Sequence, residues 1–145
     1  MNKVILLVEE NVDDEKLTLR ALREANVANE INVVRDGAVA LEYLFGKAGG
    51  DGSDARALPS VVLLELNLPV VAGVEVLRRI RTDERTRLLP VVVLTASKEE
   101  EDVLRSYSLG ANAFVRKPVD FDDFVTAAKT LGLFWLLVNE SAPVR

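Results

Sequence analysis

Several residues able to do chemistry stand where apolar runs stop. Glu9 and Glu10 close the run Val4-Ile5-Leu6-Leu7-Val8, and Glu65 follows Val61-Val62-Leu63-Leu64. Thr95 ends Pro90-Val91-Val92-Val93-Leu94, and Lys117 sits between Ala113-Phe114-Val115-Arg116 and Pro118. A charged side chain is costly to bury, so Glu65 is expected at the end of its segment, opening onto solvent. If these segments are parallel strands of one sheet, their ends share one edge, the edge where ligands of open α/β sheets sit. Three carboxylates in one pocket repel unless a cation or an ammonium offsets them. A hard divalent ion with oxygen ligands, such as Mg²⁺, suits Glu9, Glu10 and Glu65. Thr95 offers a hydroxyl and Lys117 a point charge, which together suit an incoming phosphoryl oxygen.

The elements that must position these residues are legible in the pattern. The aliphatic runs 4–8, 61–66 and 91–95 read as strands covered on both faces, the mark of a central parallel sheet. Runs 31–35 and 113–116 are shorter and less apolar, and read as edge strands. Leu17, Ala21, Leu22 and Ala25 predict a helix over 13–27, opened by Asp13, Asp14 and Glu15 at its positive end. Asp36-Gly37 breaks the second strand, and a helix with Ala38, Leu41, Leu44 and Phe45 stops near Gly46. Gly73 starts a helix carrying Val74, Leu77 and Ile80. Ser97 and Glu100 have capping-box form ahead of a helix over 98–109 that Gly110 ends. The acids at 99–102 read as its solvated start. A last helix carries Phe121, Phe124, Val125, Ala128 and Leu131. Residues 47–59, with three glycines, two aspartates, a serine and a proline, read as a polar loop rather than a domain boundary. Five strands alternating with five helices imply right-handed βαβ units. The fold class is therefore α/β, a flavodoxin-like (βα)5 doubly wound parallel sheet of strand order 2-1-3-4-5.

Bulk composition narrows the function. With 145 residues, 49% hydrophobic and 28% charged, the chain suits one globular domain. A net charge of −5 argues against a nucleic-acid surface or an anionic-membrane patch. There is no cysteine and no histidine, which removes thiol chemistry, zinc–thiolate sites and imidazole bases. No run reaches the roughly 18 apolar residues of a membrane span. A cytoplasmic location is the expectation. No Walker loop and no G-x-G-x-x-G suggests a nucleotide.

Five pieces, in order, resemble a response-regulator receiver domain over nearly the whole chain: Ile5-Leu6-Leu7-Val8-Glu9-Glu10-Asn11, Asp36-Gly37-Ala38-Val39-Ala40-Leu41, Val62-Leu63-Leu64-Glu65-Leu66-Asn67-Leu68-Pro69, Val93-Leu94-Thr95-Ala96-Ser97 and Lys117-Pro118. The 47–59 loop, Asp83-Glu84-Arg85, Ser106-Tyr107-Ser108-Leu109-Gly110 and Lys117-Pro118-Val119-Asp120-Phe121 are more narrowly similar to single-domain regulators that partner bacterial phytochromes. The resemblance implies a phosphoacceptor at the Glu65 position, receiving phosphate from the histidine of a sensor kinase. It implies Mg²⁺ held at Glu9, Glu10 and Glu65 with the Asn67 backbone carbonyl. Thr95 and Lys117 would grip the phosphoryl group, Phe114 would swing inward as a switch, and the Lys117-Pro118 peptide would be cis.

The departures from the family pattern carry as much meaning. Glutamate replaces aspartate at positions 65 and 10, and Pro69-Val70-Val71-Ala72-Gly73 lacks the usual acid before its glycine. The added methylene at position 65 extends the carboxylate by about 1.5 Å, where roughly 1 Å of misplacement costs ~100-fold. Glu65 is therefore expected to be non-phosphorylatable or an imperfect phosphomimetic, since one carboxylate carries less charge than the ≈ −1.5 to −2 of phosphate. The signalling reading is a stand-alone receiver with its domain over 1–130. Its alternatives are a phosphate-independent pseudo-receiver and a phosphohydrolase of similar topology, although the two aspartates such an enzyme needs are Glu65 and Asn67 here. Residues 131–145 begin Leu131-Gly132-Leu133-Phe134-Trp135-Leu136-Leu137-Val138, apolar on every helical face. Exposed patches of this kind mark interfaces, so Phe134, Trp135, Leu136 and Leu137 are expected to form a homodimer contact.

Overall fold

Alternation along the strands decides the layers. In a computed structural model that describes residues 4–27, 29–47, 57–95, 105, 107–117 and 121–132, five strands form one parallel sheet. They are β1 (Val4–Val8), β2 (Glu30–Val34), β3 (Val61–Leu64), β4 (Val91–Thr95) and β5 (Ala113–Arg116), in the order β2-β1-β3-β4-β5. Strand order and parallel pairing are as the sequence implies. Register places Val8 beside both Val34 and Leu64, Leu64 beside Val93, and Thr95 beside Arg116. The strand ends that precede the chemical residues therefore lie along one edge.

Successive strand side chains point to opposite faces, and the core divides accordingly. Leu6, Val8, Val62, Leu64, Val91 and Val93 face one layer, built on α2 (Gly37–Phe45) and α3 (Gly73–Thr82). Ile5, Leu7, Val61, Leu63, Val92 and Leu94 face the other, built on α1 (Val12–Glu24) and α4 (Phe121–Gly132). Burying a Val, Leu or Ile side chain stabilises by roughly 1.5–3 kcal/mol, so both faces hold the three central strands.

Helix ends are set by local chemistry. Asn11 caps α1, its Oδ1 accepting from the Asp14 N–H at 2.9 Å, so the helix begins at Val12. It stops at Glu24, short of the expected residue 27, because Asn26 adopts a left-handed φ of 60°. Asp36 ends β2 and also caps α2 through the Val39 N–H at 2.8 Å. Gly73 opens α3 against the end of β3. A Cβ there would stand 2.2 Å from the Glu65 carbonyl oxygen and 2.6 Å from the Leu66 Cα, so only glycine permits this approach.

Between these, Val70 bears a φ of 70° in a tight Pro69–Val71 turn and is 80% exposed. This is a strained conformation for a β-branched residue. At the far end of the sheet Arg81 donates to the carbonyls of Gly110 (2.9 Å) and Leu89 (2.7 Å) and to Asn112 Oδ1 (3.0 Å). That bracket ties α3 to the starts of β4 and β5. Of the helix expected over 98–109, Arg105, Tyr107, Ser108 and Leu109 are described; the first three are helical and Leu109 lies in the turn that follows. Pro118, most of the 47–59 loop and residues 133–145, Phe134, Trp135, Leu136 and Leu137 among them, lie outside the described residues.

Candidate functional site

Lys117 is the centre of the site. It follows β5 directly, and its backbone N–H donates to the Thr95 carbonyl at 2.8 Å, which fixes its root beside β4. Its side chain crosses toward the ends of β3 and β1. There Nζ donates to Glu9 Oε1, to Glu65 Oε1 at 3.2 Å and to Asp14 Oδ2 at 3.1 Å. Glu9 Oε2 also accepts from the Asn11 N–H at 3.3 Å.

Glu65 is the principal correction to the sequence reading. It does not open onto solvent but is 6% exposed. Two causes make burial tolerable. The ammonium neutralises one oxygen, and Oε2 accepts from its own neighbour, the Leu66 N–H, at 2.7 Å. The Asn67 N–H adds a longer bond of 3.4 Å. Both oxygens of Glu65 thus have donors.

Glu9 and Glu10 differ in exposure. Consecutive residues in extended chain point apart, and while Glu9 is buried Glu10 is exposed. Glu10 instead lines an open cleft of about 460 Å³ with Leu66, Asn67, Leu68, Pro69 and Ala72, directly beside the Glu65 loop. Thr95 is fully buried at the end of β4, at the same edge. Phe114 is half-buried against the α2–α3 layer, with its ring centroid 6.5 Å from that of Tyr107.

Asp14 was read from sequence only as a helix-start acid. Its position carried a further signal: Thr18, Ala21 and Leu22, the buried residues of α1, stand four, seven and eight positions on. Asp14 therefore lies on the inward stripe of the helix. Asp13 is exposed and Glu15 pairs with Arg35, so Asp14 is the acid of this turn that reaches Lys117.

The electrostatics follow from the count. Three carboxylates and one ammonium leave two negative charges uncompensated. Burial pushes the Glu9 pKa up; the Lys117 hydrogen bond and charge and the Asn11 N–H pull against it without cancelling it. Burial would lower the Lys117 pKa, but the Glu9 hydrogen bond and the charges of Glu65 and Glu9, with Asp14, outweigh it and raise it.

The donor set fits a hard divalent cation in its chemistry: carboxylate oxygens of Glu9, Glu10 and Glu65, the Asn67 carbonyl, and excess negative charge. Among the described residues no three acidic side chains are already gathered as a metal cage. Lys117 supplies the counter-charge in this arrangement, so a cation competes with it.

The chain is similar to known proteins over nearly its whole length. The family model "Response regulator receiver domain" matches residues 5–129. The "Probable methanogenesis regulatory protein FilR2" of Methanothrix harundinacea is 41% identical over 138 residues, covering 95% of this chain and 86% of that protein. The Mn(2+)-bound form of response regulator Rcp1 superposes with a TM-score of 0.82 at 34% identity, covering 97% of this chain and 99% of that one. The bacteriophytochrome response regulator RtBRR gives a TM-score of 0.77 at 50% identity, covering 99% of this chain and 86% of that one.

Proposed function

Because this chain belongs to the response regulator receiver family, we propose that it is a stand-alone receiver whose Glu65 is a built-in, phosphate-independent substitute for the phosphorylated acceptor. The observation that carries this reading is the double engagement of Glu65. Oε1 receives the Lys117 ammonium at 3.2 Å and Oε2 the Leu66 N–H at 2.7 Å. In-line attack on a phosphohistidine needs a free, accessible oxygen placed to a fraction of an ångström. A carboxylate buried to this degree, with donors on both oxygens, is poorly placed for that attack.

In this reading Lys117 does for the carboxylate what it would do for a phosphoryl group, at lower charge. The partner is a sensor histidine kinase of the phytochrome kind, by analogy with RtBRR, engaged through contact rather than phosphotransfer. The chain works in the cytoplasm as a signalling module rather than an enzyme. Its apolar residues Phe134, Trp135, Leu136 and Leu137 make the homodimer contact, and no nucleic acid or membrane is involved. No helix of the described residues is long and apolar enough to cross a membrane.

A divalent cation of the Mg²⁺ type binds weakly at Glu9, Glu10 and Glu65 with the Asn67 carbonyl. When bound it supplies charge neutralisation to the uncompensated carboxylates. The test of the phosphate-independent reading is the backbone amide spectrum. Glu65→Gln should shift Leu66, Asn67, Thr95 and Lys117, whereas a small phosphodonor with Mg²⁺ should add nothing beyond what Mg²⁺ alone does in wild type. A donor-dependent rearrangement of those amides would overturn it.

A further inference from the structure

We propose that Asp14 is a positioning residue of this site: it keeps the Lys117 ammonium paired when a divalent cation takes the Glu9 and Glu65 carboxylates. The inference rests on the cation reading above. Lys117 is 7% exposed, and an ammonium at that depth is strongly disfavoured without a partner. Two of its three partners, Glu9 and Glu65, are acids that a cation at this edge also claims. A cation that draws on both of them loosens their hold on the ammonium, unless another carboxylate keeps it.

Asp14 answers that need by its place. It stands on α1 rather than at a strand end, 3.1 Å from Nζ. Its side chain is 37% exposed, against 2% for Glu9 and 7% for Glu65, so it is the rim partner of the three. Its backbone is fixed by the Asn11 cap, which receives the Asp14 N–H at 2.9 Å. The neighbouring acids do not duplicate it, since Asp13 is exposed and Glu15 is held by Arg35. Lys117 thus has an inner pair of partners that a cation removes and an outer partner that a cation leaves.

The experiment measures Mn²⁺ binding to the full chain from the paramagnetic resonance signal of free Mn²⁺. Asp14→Asn should weaken binding about tenfold, the size of one charge-assisted hydrogen bond. Asp13→Asn, an equal charge change one residue away, should weaken it less than about twofold. Asp14→Glu should restore most of the loss. In a Lys117→Met background, or Lys117→Gln should that variant not fold, Asp14→Asn should cost no more than Asp13→Asn does. An equal loss with and without Lys117 would make Asp14 a ligand or a bare charge and overturn the proposal. So would an Asp14→Asn protein that binds as wild type. A wild-type chain that takes up no Mn²⁺ at millimolar concentration overturns both this inference and the cation reading, whereas one that binds but ignores Asp14 overturns this inference alone.

Discussion

Replacing Lys117 by Met probes the site at its centre. The change keeps most of the side-chain volume and removes only the ammonium. Glu9 and Glu65, both nearly inaccessible, lose their common cation. Removing one partner of a buried pair costs about 3–5 kcal/mol. Glu65 keeps the Leu66 and Asn67 N–H groups and Glu9 keeps the Asn11 N–H, so the lower end, about 3 kcal/mol at neutral pH, is expected. Against a domain stability of roughly 5–15 kcal/mol the variant stays folded. With a urea slope near 2 kcal/mol/M, the midpoint should fall by about 1.5 M. The deficit should shrink with acidity. Glu9 already has a raised pKa, and without Lys117 it lies higher still, so its proton arrives earlier as pH falls and removes the repulsion. Urea unfolding followed by circular dichroism at pH 7 and near pH 5 checks both statements. A loss below about 1 kcal/mol, or one that grows toward pH 5, would refute the reasoning.

Three further outcomes follow from the same geometry. Glu9 carries a folded-state pKa above its unfolded value, so its contribution to stability is fully present below the unfolded value near 4.5 and is lost as pH rises through the folded value. Glu9→Gln should therefore remove that decline in stability with rising pH, measured by thermal unfolding at a series of pH values. Gly73→Ala places a methyl group 2.2 Å from the Glu65 carbonyl oxygen, and should cost about 2–4 kcal/mol in the same urea assay while disturbing the Leu66 amide. Val70→Asn relieves a left-handed β-branched residue at an exposed position, and should stabilise by about 0.5–1 kcal/mol; a lower melting temperature would contradict the strain reading.

The sheet was legible because its signal is local. Three aliphatic runs and two weaker ones determine which strands are central, and the crossover rule then fixes the order. The alternating residues of β1, β3 and β4 divide between two layers as period two requires. The site was legible as a set of strand ends but not as an arrangement. Nothing in the composition of a strand end tells whether its carboxylate turns inward. Glu65 turned in because Lys117, 52 residues away in sequence, reaches it and because its own backbone offers a donor. Glu10 turned out because Glu9 turned in. Asp14 was hidden by a competing explanation: acids at a helix start need no other reason, and only its register with Thr18, Ala21 and Leu22 distinguishes it from Asp13.

The central claim is that Glu65 is not placed to accept a phosphoryl group. The most direct measurement is intact mass after exposure of wild type and Glu65→Asp to a small phosphodonor with Mg²⁺. Aspartate is one methylene shorter, which returns the carboxylate to the family's reach, and it should gain one phosphoryl group. Wild type should gain none. A wild-type chain that acquires a phosphoryl group mapped to Glu65 would contradict the account.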